Sequence, residues 1–175
     1  MSTLTKLALG LMGHLRPAPP LGDATRTIAL PPADRTGGLP LMAALAARHS
    51  SRAFLPQALS PQQLSDLLWA AWGVNRDGSG RTAPSALDAQ EIDLYVALPA
   101  GAYRYDAPSH ALQLVVAQDL RRITGYQDFV DQAPLDLVFV ADHTRMGLVP
   151  VAQRESFASA AAGAIAKACA LWTAL

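Results

Sequence analysis

The C-terminal segment from Phe157 to Leu175 constrains the fold most, because almost all of its residues are Ala, Gly, Leu and Ile. Its length is close to that of a membrane-spanning helix, which needs about 20 predominantly apolar residues. Lys167 lies inside the segment, however, and Arg154 and Glu155 precede it closely. Charged residues are rare and costly within a membrane span, so we interpret the segment as a buried central helix. Its small residues allow close backbone approach, so it can pack against its own sheet, with a second copy of the chain as a further candidate partner.

Composition indicates one domain with more apolar surface than a single chain of this size readily buries. The chain has 175 residues, of which 51% are hydrophobic and only 16% charged. We therefore expect part of the apolar excess to be buried against a second subunit. The 14 basic and 14 acidic side chains form no long run of either sign, which argues against nucleic acid as a partner. The single Cys169 cannot form an internal disulfide, and no Cys/His spacing suggests a zinc site.

Residues 1–38 are predicted to form an N-terminal arm ahead of a domain at 39–175. Lys6 is followed by a short apolar run, Leu7 to Gly13, but no clear small-x-small cleavage site comes before the prolines that follow. Export is therefore the minor alternative, and the cytoplasm is the default location. From about Arg16 to Gly38 the chain is rich in Pro, Gly, Asp and Thr and shows no periodicity, which indicates an arm that either crosses a partner subunit or lacks order.

Hydrophobic periodicity predicts an α+β or three-layer α/β fold, in which helices flank a mostly antiparallel central sheet. Ser60 can cap a helix, Pro61 fits its first position, and Gln63 can complete a capping box. Alternation of apolar and polar residues marks the strands. The predicted helices cover 39–47, 60–73, 119–130 and 157–175, and the predicted strands cover 91–98, 101–106, 112–116 and 135–142. At the end of the last strand, Asp142 is interpreted as a cap of the following turn instead of an acid–base group.

A cluster of basic and hydroxyl side chains follows the first predicted helix, in the run Arg48-His49-Ser50-Ser51-Arg52-Ala53-Phe54. Two guanidiniums four residues apart, with hydroxyls and an imidazole between them, suit a compact and strongly anionic ligand. A phosphate monoester is the simplest such ligand. Basic residues after a helix are also commonly a solvated turn that the helix dipole favours, so the run alone leaves both interpretations open.

Three runs in this order resemble the nitroreductase family of flavin enzymes, and most of all its SagB-type dehydrogenase branch. They are the basic run just described, Leu67-Leu68-Trp69-Ala70-Ala71-Trp72-Gly73-Val74-Asn75-Arg76, and Arg81-Thr82-Ala83-Pro84-Ser85-Ala86. The resemblance extends from about Leu39 to the last residue and implies FMN as the cofactor. It implies that the phosphate and ribityl chain are held by Arg48, His49, Ser50 and Arg52. It likewise implies that the flavin ring is approached by Pro84, Ser85, Ala86 and Asp88, with Gln90 at the family's next motif position.

The resemblance also implies the reaction and the assembly. Hydride would pass from NAD(P)H or a substrate to the flavin and then to an acceptor in a second half-reaction, and no side chain would act as a nucleophile. The flavin would lie at the interface of a homodimer whose spine is the terminal helix. The substrate would be a small molecule or, in the SagB-like version, a modified peptide that carries thiazolines or oxazolines.

Three departures from the family pattern favour an alternative, a nitroreductase-fold remnant without turnover. Asp88 stands where the family usually has Asn, so an amide donor is lost. Lys167 and Ala168 replace an amide pair in the terminal helix. The chain stops at Leu175 within that helix, whereas family members continue through a strand, a flavin-edge segment and a late basic residue. We therefore expect the C-terminal part of the domain to be missing.

Overall fold

A computed structural model of the chain describes residues 26–77 and 80–172. The apolar run at 7–13, the first part of the predicted arm and the last residues of the terminal helix lie outside the described residues. The helices are α1 (Leu41–Ala47), α2 (Pro61–Trp72), α3 (Arg121–Thr124) and α4 (Val151–Trp172). The strands are β1 (Thr27–Ala29), β2 (Ile92–Leu98), β3 (Gly101–Asp106), β4 (Ala111–Val116) and β5 (Asp136–Ala141).

The five strands form one sheet in the order β1-β4-β3-β2-β5, and every neighbouring pair is antiparallel. β2 lies between β3 and β5, where Val96 pairs with Tyr103 and Leu94 pairs with Phe139. Side chains alternate across a strand, so Ile92, Leu94 and Val96 share one face, and all three are buried. The predicted α+β fold with a mostly antiparallel sheet is confirmed.

Helices α2 and α4 pack against the buried face of the sheet. The side chains that they place in the core are Leu68, Ala71 and Trp72 from α2 and Ala158, Ala161 and Ile165 from α4. Full burial of a side chain such as Leu68 or Ile165 contributes about 1.5–3 kcal/mol each. The rest of α4 is less buried than the sequence predicted, and nothing lies within 4 Å of a Cβ built on Gly163. In the single chain α4 therefore packs through one face only.

The terminal helix begins at Val151, six residues before the predicted start at Phe157. The carbonyl of Pro150 accepts a hydrogen bond from the amide of Gln153 at 2.8 Å, and proline suits the beginning of a helix because it lacks an amide hydrogen. The polar residues of the first turns hid this start from the apolar pattern. No helix among the described residues is long and apolar enough to cross a membrane.

The prediction of one helix over 119–130 is wrong. α3 ends after one turn, because Gly125 is extended with φ −151°, and a separate 3-10 turn follows at Asp128–Gln132. Of the residues with helical spacing, Ile123 thus lies in the first turn and Phe129 in the second. The helix predicted at 60–73 is confirmed, since the Ser60 hydroxyl accepts from the Gln63 amide while the Gln63 side chain accepts from the Ser60 amide.

The described part of the predicted arm contains a strand that the sequence did not show. β1 pairs with β4, where Thr27 lies opposite Gln113 and Ala29 lies opposite Ala111. Because β4 supplies the partners for its backbone hydrogen bonds, a strand of three residues needs no alternating pattern of its own. This pairing places the described part of the arm, which was predicted to be partly irregular, at the edge of the sheet.

A buried polar network fastens the arm to the rest of the domain. The Ser65 hydroxyl donates to the Pro31 carbonyl at 2.6 Å and lies 2.7 Å from Nε2 of His110. The Tyr105 hydroxyl lies 2.8 Å from Nδ1 of the same histidine, and Nε2 also lies 3.1 Å from the Pro31 carbonyl. The network therefore joins the arm, helix α2 and the β3–β4 hairpin at one point. It also shows that Tyr105, like Tyr103, is buried against the sheet.

Candidate functional site

The basic run lies directly after α1, which ends because Arg48 turns to extended geometry with φ −61° and ψ 119°. Arg48 is half-buried, whereas His49, Ser50 and Arg52 are exposed. Within the described residues no carboxylate pairs with Arg48 or Arg52. The Arg52 guanidinium lies 5.7 Å from the centre of the Phe129 ring. Two cations that lack an acidic partner remain available to an external anion.

The imidazole of His49 is held by its own backbone. Its Nδ1 lies 2.9 Å from the carbonyl of Ala47, so that nitrogen carries the proton and Nε2 is left as an acceptor in the neutral ring. Ser51 bonds locally with Ala53 and belongs to the turn, although the sequence pattern could not separate it from Ser50. The arrangement suits a phosphate ester, whose oxygens accept from guanidinium and hydroxyl groups.

The second predicted part of the site is a strained turn between α2 and β2. Pro84 is exposed, Ser85 and Ala86 are half-buried, and a 3-10 turn runs over Ala86–Asp88. Left-handed backbone appears at Leu87 with φ 53°, at Asp88 with φ 53° and at Gln90 with φ 48°. Each such residue costs about 1–2 kcal/mol, and the cost is higher for Leu than for Asp. Strain of this kind persists only where the surroundings hold the chain in place.

Gln90 is the centre of the bonds that hold this turn. Its amide donates to the Ser85 hydroxyl at 2.9 Å, and its side-chain nitrogen donates to Asp88 at 3.1 Å. Nε of Arg81 donates to its side-chain oxygen at 2.9 Å, and Nη1 of Arg145 donates to its carbonyl at 2.8 Å. Asp88 is thus used inside the turn as an acceptor.

Arg81 and Arg145 are the functional candidates that the sequence analysis missed. Arg81 stands within the third resemblance run, and its guanidinium lies 5.5 Å from the centre of the Trp72 ring. Burial lowers the pKa of Arg81, an effect that nearby Tyr105 opposes. Arg145 follows β5 and has no motif around it. Only the β2–β5 pairing, which is a long-range feature, could have pointed to it.

Three side chains near this turn have buried polar atoms without a hydrogen-bond partner. They are Nη1 of Arg81, the hydroxyl of Thr82 and both carboxylate oxygens of Glu91. Glu91 is fully buried at the beginning of β2, next to Gln90. Orphaned buried groups are rare in proteins and are concentrated where ligands or waters complete the structure.

The prediction for Asp142 agrees with the structure. Its carboxylate accepts from the backbone amide of Thr144 at 3.0 Å and from the Thr144 hydroxyl at 2.6 Å. The hydroxyl bond lowers the pKa of Asp142, and the amide bond acts in the same direction. A strand-end cap explains this aspartate. No group of His, Cys, Asp or Glu in residues 26–77 and 80–172 is arranged to hold a metal ion.

The two predicted parts of the site lie beside different cavities. A cavity of about 690 Å³ lies beside the basic run and includes His49 and Ser51 in its lining. A second cavity of about 470 Å³ lies beside the strained turn and includes Asp88 and Arg145. The two cavities share no lining residue. We refer to the basic run and the strained turn, each with its neighbouring cavity, as the two half-sites.

Comparison with known proteins gives one family. The sequence model of the nitroreductase family matches residues 45–174, a range that contains both half-sites. The protein MJ1384 of Methanocaldococcus jannaschii, named as a nitroreductase, is 28% identical over 135 residues, which cover 71% of this chain and 66% of that protein. The chain thus spans slightly less than two thirds of the length of this curated relative.

Solved structures show the same likeness. A crystal structure from Ralstonia eutropha JMP134, titled as a nitroreductase, has 57% identity and a TM-score of 0.82, and the match covers 91% of this chain and 76% of that one. An Anabaena variabilis crystal structure, also titled as a nitroreductase, has 17% identity and a TM-score of 0.69, and the match covers 93% of this chain and 38% of that one. The Escherichia coli microcin synthetase McbBCD complex with truncated pro-MccB17 bound has 16% identity and a TM-score of 0.58, covering 97% and 79%. The last two show a shared fold alone.

Proposed function

Because the chain belongs to the nitroreductase family, we propose that it is an FMN-dependent oxidoreductase that works as a homodimer. The observation that carries this proposal is the basic run, in which Arg48 and Arg52 have no carboxylate partner among the described residues. Other arginines of the domain, such as Arg121 and Arg145, are paired with aspartates. Two free guanidiniums beside Ser50 match a dianionic phosphate.

The residues present fit FMN in both parts of the site. Arg48, His49, Ser50 and Arg52 would hold the phosphate and the ribityl chain. The flavin ring would lie against the second half-site, which consists of Pro84, Ser85, Ala86 and Asp88. When bound, FMN supplies hydride transfer between NAD(P)H or a substrate and an acceptor in two half-reactions of a ping-pong mechanism. The chain's own residues bind and orient the cofactor.

The different linings of the two half-sites support the proposed homodimer. One FMN molecule need not be bound by a single chain. Its phosphate can contact the basic run of one copy while its ring contacts the strained turn of a second copy. Exposed apolar side chains support such an interface, since Leu41 is 63% exposed, Met42 75%, Leu148 85% and Val151 76%. Contiguous apolar surface commonly marks a protein–protein contact, and these side chains are candidates for one.

The substrate class is proposed from the order of the three sequence runs. They favour the SagB-type branch, and the substrate within this proposal is either a small molecule or a modified peptide. The microcin synthetase complex has a pro-peptide in its name, but at 16% identity it supports the fold only. Cytoplasmic location is part of the same proposal.

A second candidate function is flavin binding without turnover. It is favoured by the expected loss of three side-chain amides. One would be replaced by Asp88, and the other two by Lys167 and Ala168. Lys167 is exposed on α4 and Ala168 is half-buried. Neither side chain contains an amide that could bond to a flavin. This candidate and the first share the binding site and differ only in redox cycling.

Purified protein titrated with FMN tests the proposal directly. We expect quenching of flavin fluorescence, reduction of the bound flavin by NADPH or NADH without oxygen, and re-oxidation by a quinone. The double variant Arg48→Ala/Arg52→Ala should lose FMN affinity by about 100-fold or more, because each charge-assisted contact is worth about 1.5–3 kcal/mol. The matched control is Arg35→Ala/Arg104→Ala, which removes two exposed arginines elsewhere. Equal affinity in the two double variants contradicts the site, and binding without reduction supports the second candidate.

A further inference from the structure

The strained turn needs an external support, because it places three residues in left-handed geometry within four positions. Leu87 is 67% exposed, so its own side chain contributes little packing that could hold this conformation. The hydrogen bonds of Gln90 to Ser85 and Asp88 are local and move with the turn. Arg81 also donates to the Gln90 side chain, but it does so from the loop that precedes the turn. A contact that fixes the turn in relation to the sheet must come from another element.

Arg145 makes such a contact. Its Nη2 lies 2.7 Å from the Asp93 carboxylate in β2, and its Nε lies 3.2 Å from Asp142 at the end of β5. Its Nη1 donates at 2.8 Å to the carbonyl of Gln90. β2 and β5 are paired through six residues on each strand, so both carboxylates stand on a rigid frame. The guanidinium therefore ties the turn to two neighbouring strands.

We propose that Arg145 is a positioning residue that sets the place of the flavin-ring turn, an inference that rests on the proposed function. A planar guanidinium with donors in a fixed fork can hold two carboxylates and a carbonyl at once, which a lysine ammonium on a flexible stem does less well. An exposed ion pair alone contributes little to stability. The importance of Arg145 lies in its bond to the main chain of the turn, where a small displacement changes the contacts with a bound ring.

A matched control is present in the same domain. Arg121 donates from Nε and Nη2 to Asp119 and from Nη1 to the carbonyl of Ala133 at 2.7 Å. It therefore also joins an acidic side chain to a main-chain carbonyl, away from the strained turn in sequence. That carbonyl precedes Pro134 and Leu135, which line the first cavity. Arg121→Lys controls for the loss of such a bridge in general. Arg145→Lys is the test variant, and Asp93→Asn weakens the same bridge from its other side.

Binding of FMN and of riboflavin by apo-protein, measured through fluorescence quenching, separates positioning from phosphate binding. Riboflavin has the ring but no phosphate. We expect Arg145→Lys to raise the Kd of both flavins by the same factor, on the order of tenfold, while Arg121→Lys changes neither. Arg48→Ala/Arg52→Ala should weaken FMN only. Asp93→Asn serves as the second variant where Arg145→Lys does not fold, and hydrogen exchange of the bonded Asp88 and Gln90 amides in apo-protein should accelerate in either variant.

Each result decides the inference. Equal effects of Arg145→Lys and Arg121→Lys overturn it, as does a loss confined to FMN or an unchanged exchange rate at the turn. If wild-type protein binds FMN and the Arg145→Lys variant binds it equally well, the role of Arg145 is refuted and the proposed function stands. Wild-type protein that binds no FMN refutes the proposed function, and the positioning role falls with it.

Discussion

Replacing Tyr105 by phenylalanine should destabilise the domain more than replacing Ser65 by alanine. The reason lies in the buried polar network that fastens the arm to the domain. The Ser65 hydroxyl must donate to the Pro31 carbonyl, which has no proton, so Nε2 of His110 is the donor to Ser65. In the neutral ring Nδ1 then carries no proton and accepts from the Tyr105 hydroxyl. Each member of the network is satisfied only with a neutral histidine.

The magnitudes follow from which atom each substitution leaves without a partner. Tyr105→Phe keeps the buried ring but leaves Nδ1 of His110 without a donor, which costs about 1–3 kcal/mol. Ser65→Ala leaves nothing orphaned, because Nε2 still reaches the Pro31 carbonyl at 3.1 Å. The cost there is that of one net hydrogen bond, about 0.5–1.5 kcal/mol. Tyr126→Phe, at a 46% exposed tyrosine, is the control and should cost close to nothing.

Lowering the pH should reduce the deficit of Tyr105→Phe. Burial lowers the pKa of His110 below its ordinary value of 6.5, against the opposing effects of the Pro31 carbonyl and Asp66. The unfolded chain therefore takes up this proton first, and stability is lost as the pH falls below about 6.5. Without the tyrosine hydroxyl, Nδ1 accepts a proton more readily, so the variant loses less on acidification than the wild type.

Urea unfolding followed by tryptophan fluorescence at about pH 7.5 and pH 5.5 measures all these differences. The reasoning is refuted if Tyr105→Phe is no less stable than Ser65→Ala at the higher pH. It is equally refuted if the deficit of Tyr105→Phe grows at the lower pH.

Three further outcomes are expected. Ser60→Ala removes the cap of α2 and should lower the free energy of unfolding by about 1 kcal/mol in urea titrations, whereas no change would show that the capping box contributes little. Leu87→Gly should raise the urea midpoint, by up to about 1 kcal/mol in stability, because glycine adopts φ 53° without strain; a lower midpoint contradicts strain at this position. Burial raises the pKa of Cys169 to about 11, so a disulfide reagent at about pH 8 should modify the folded protein slowly and the urea-unfolded protein quickly, and equal rates would oppose this.

The parts of the fold that could be predicted from sequence are those with strong local signals. The capping box at Ser60 and the alternation of Ile92, Leu94 and Val96 each identify an element from a few adjacent residues. β1 has three residues and depends on its partner strand, so no local pattern marks it. Gly125 divides the predicted helix at 119–130, because one extended glycine outweighs helical spacing on both sides.

The candidate site divides in the same way. The basic run and the turn at Pro84 are each continuous in sequence. The residue types of the run suggested an anionic ligand, and the resemblance of the three runs to a known family implied a flavin enzyme. Arg145 reaches Gln90 only because β2 and β5 pair, and that contact is invisible until the sheet is assembled. The different linings of the two half-sites likewise depend on tertiary structure.

The pairing of β1 with β4 has a consequence for how the chain is made. Thr27 leaves the ribosome long before Gln113, the residue that it faces in the sheet, has been synthesised. Chains grow at about 5–20 residues per second, so the arm waits for several seconds without its partner strand. Docking of this strand must then be a late event of biogenesis, and until it occurs a nascent chain offers its unpaired β4 edge to chaperones or to other nascent chains.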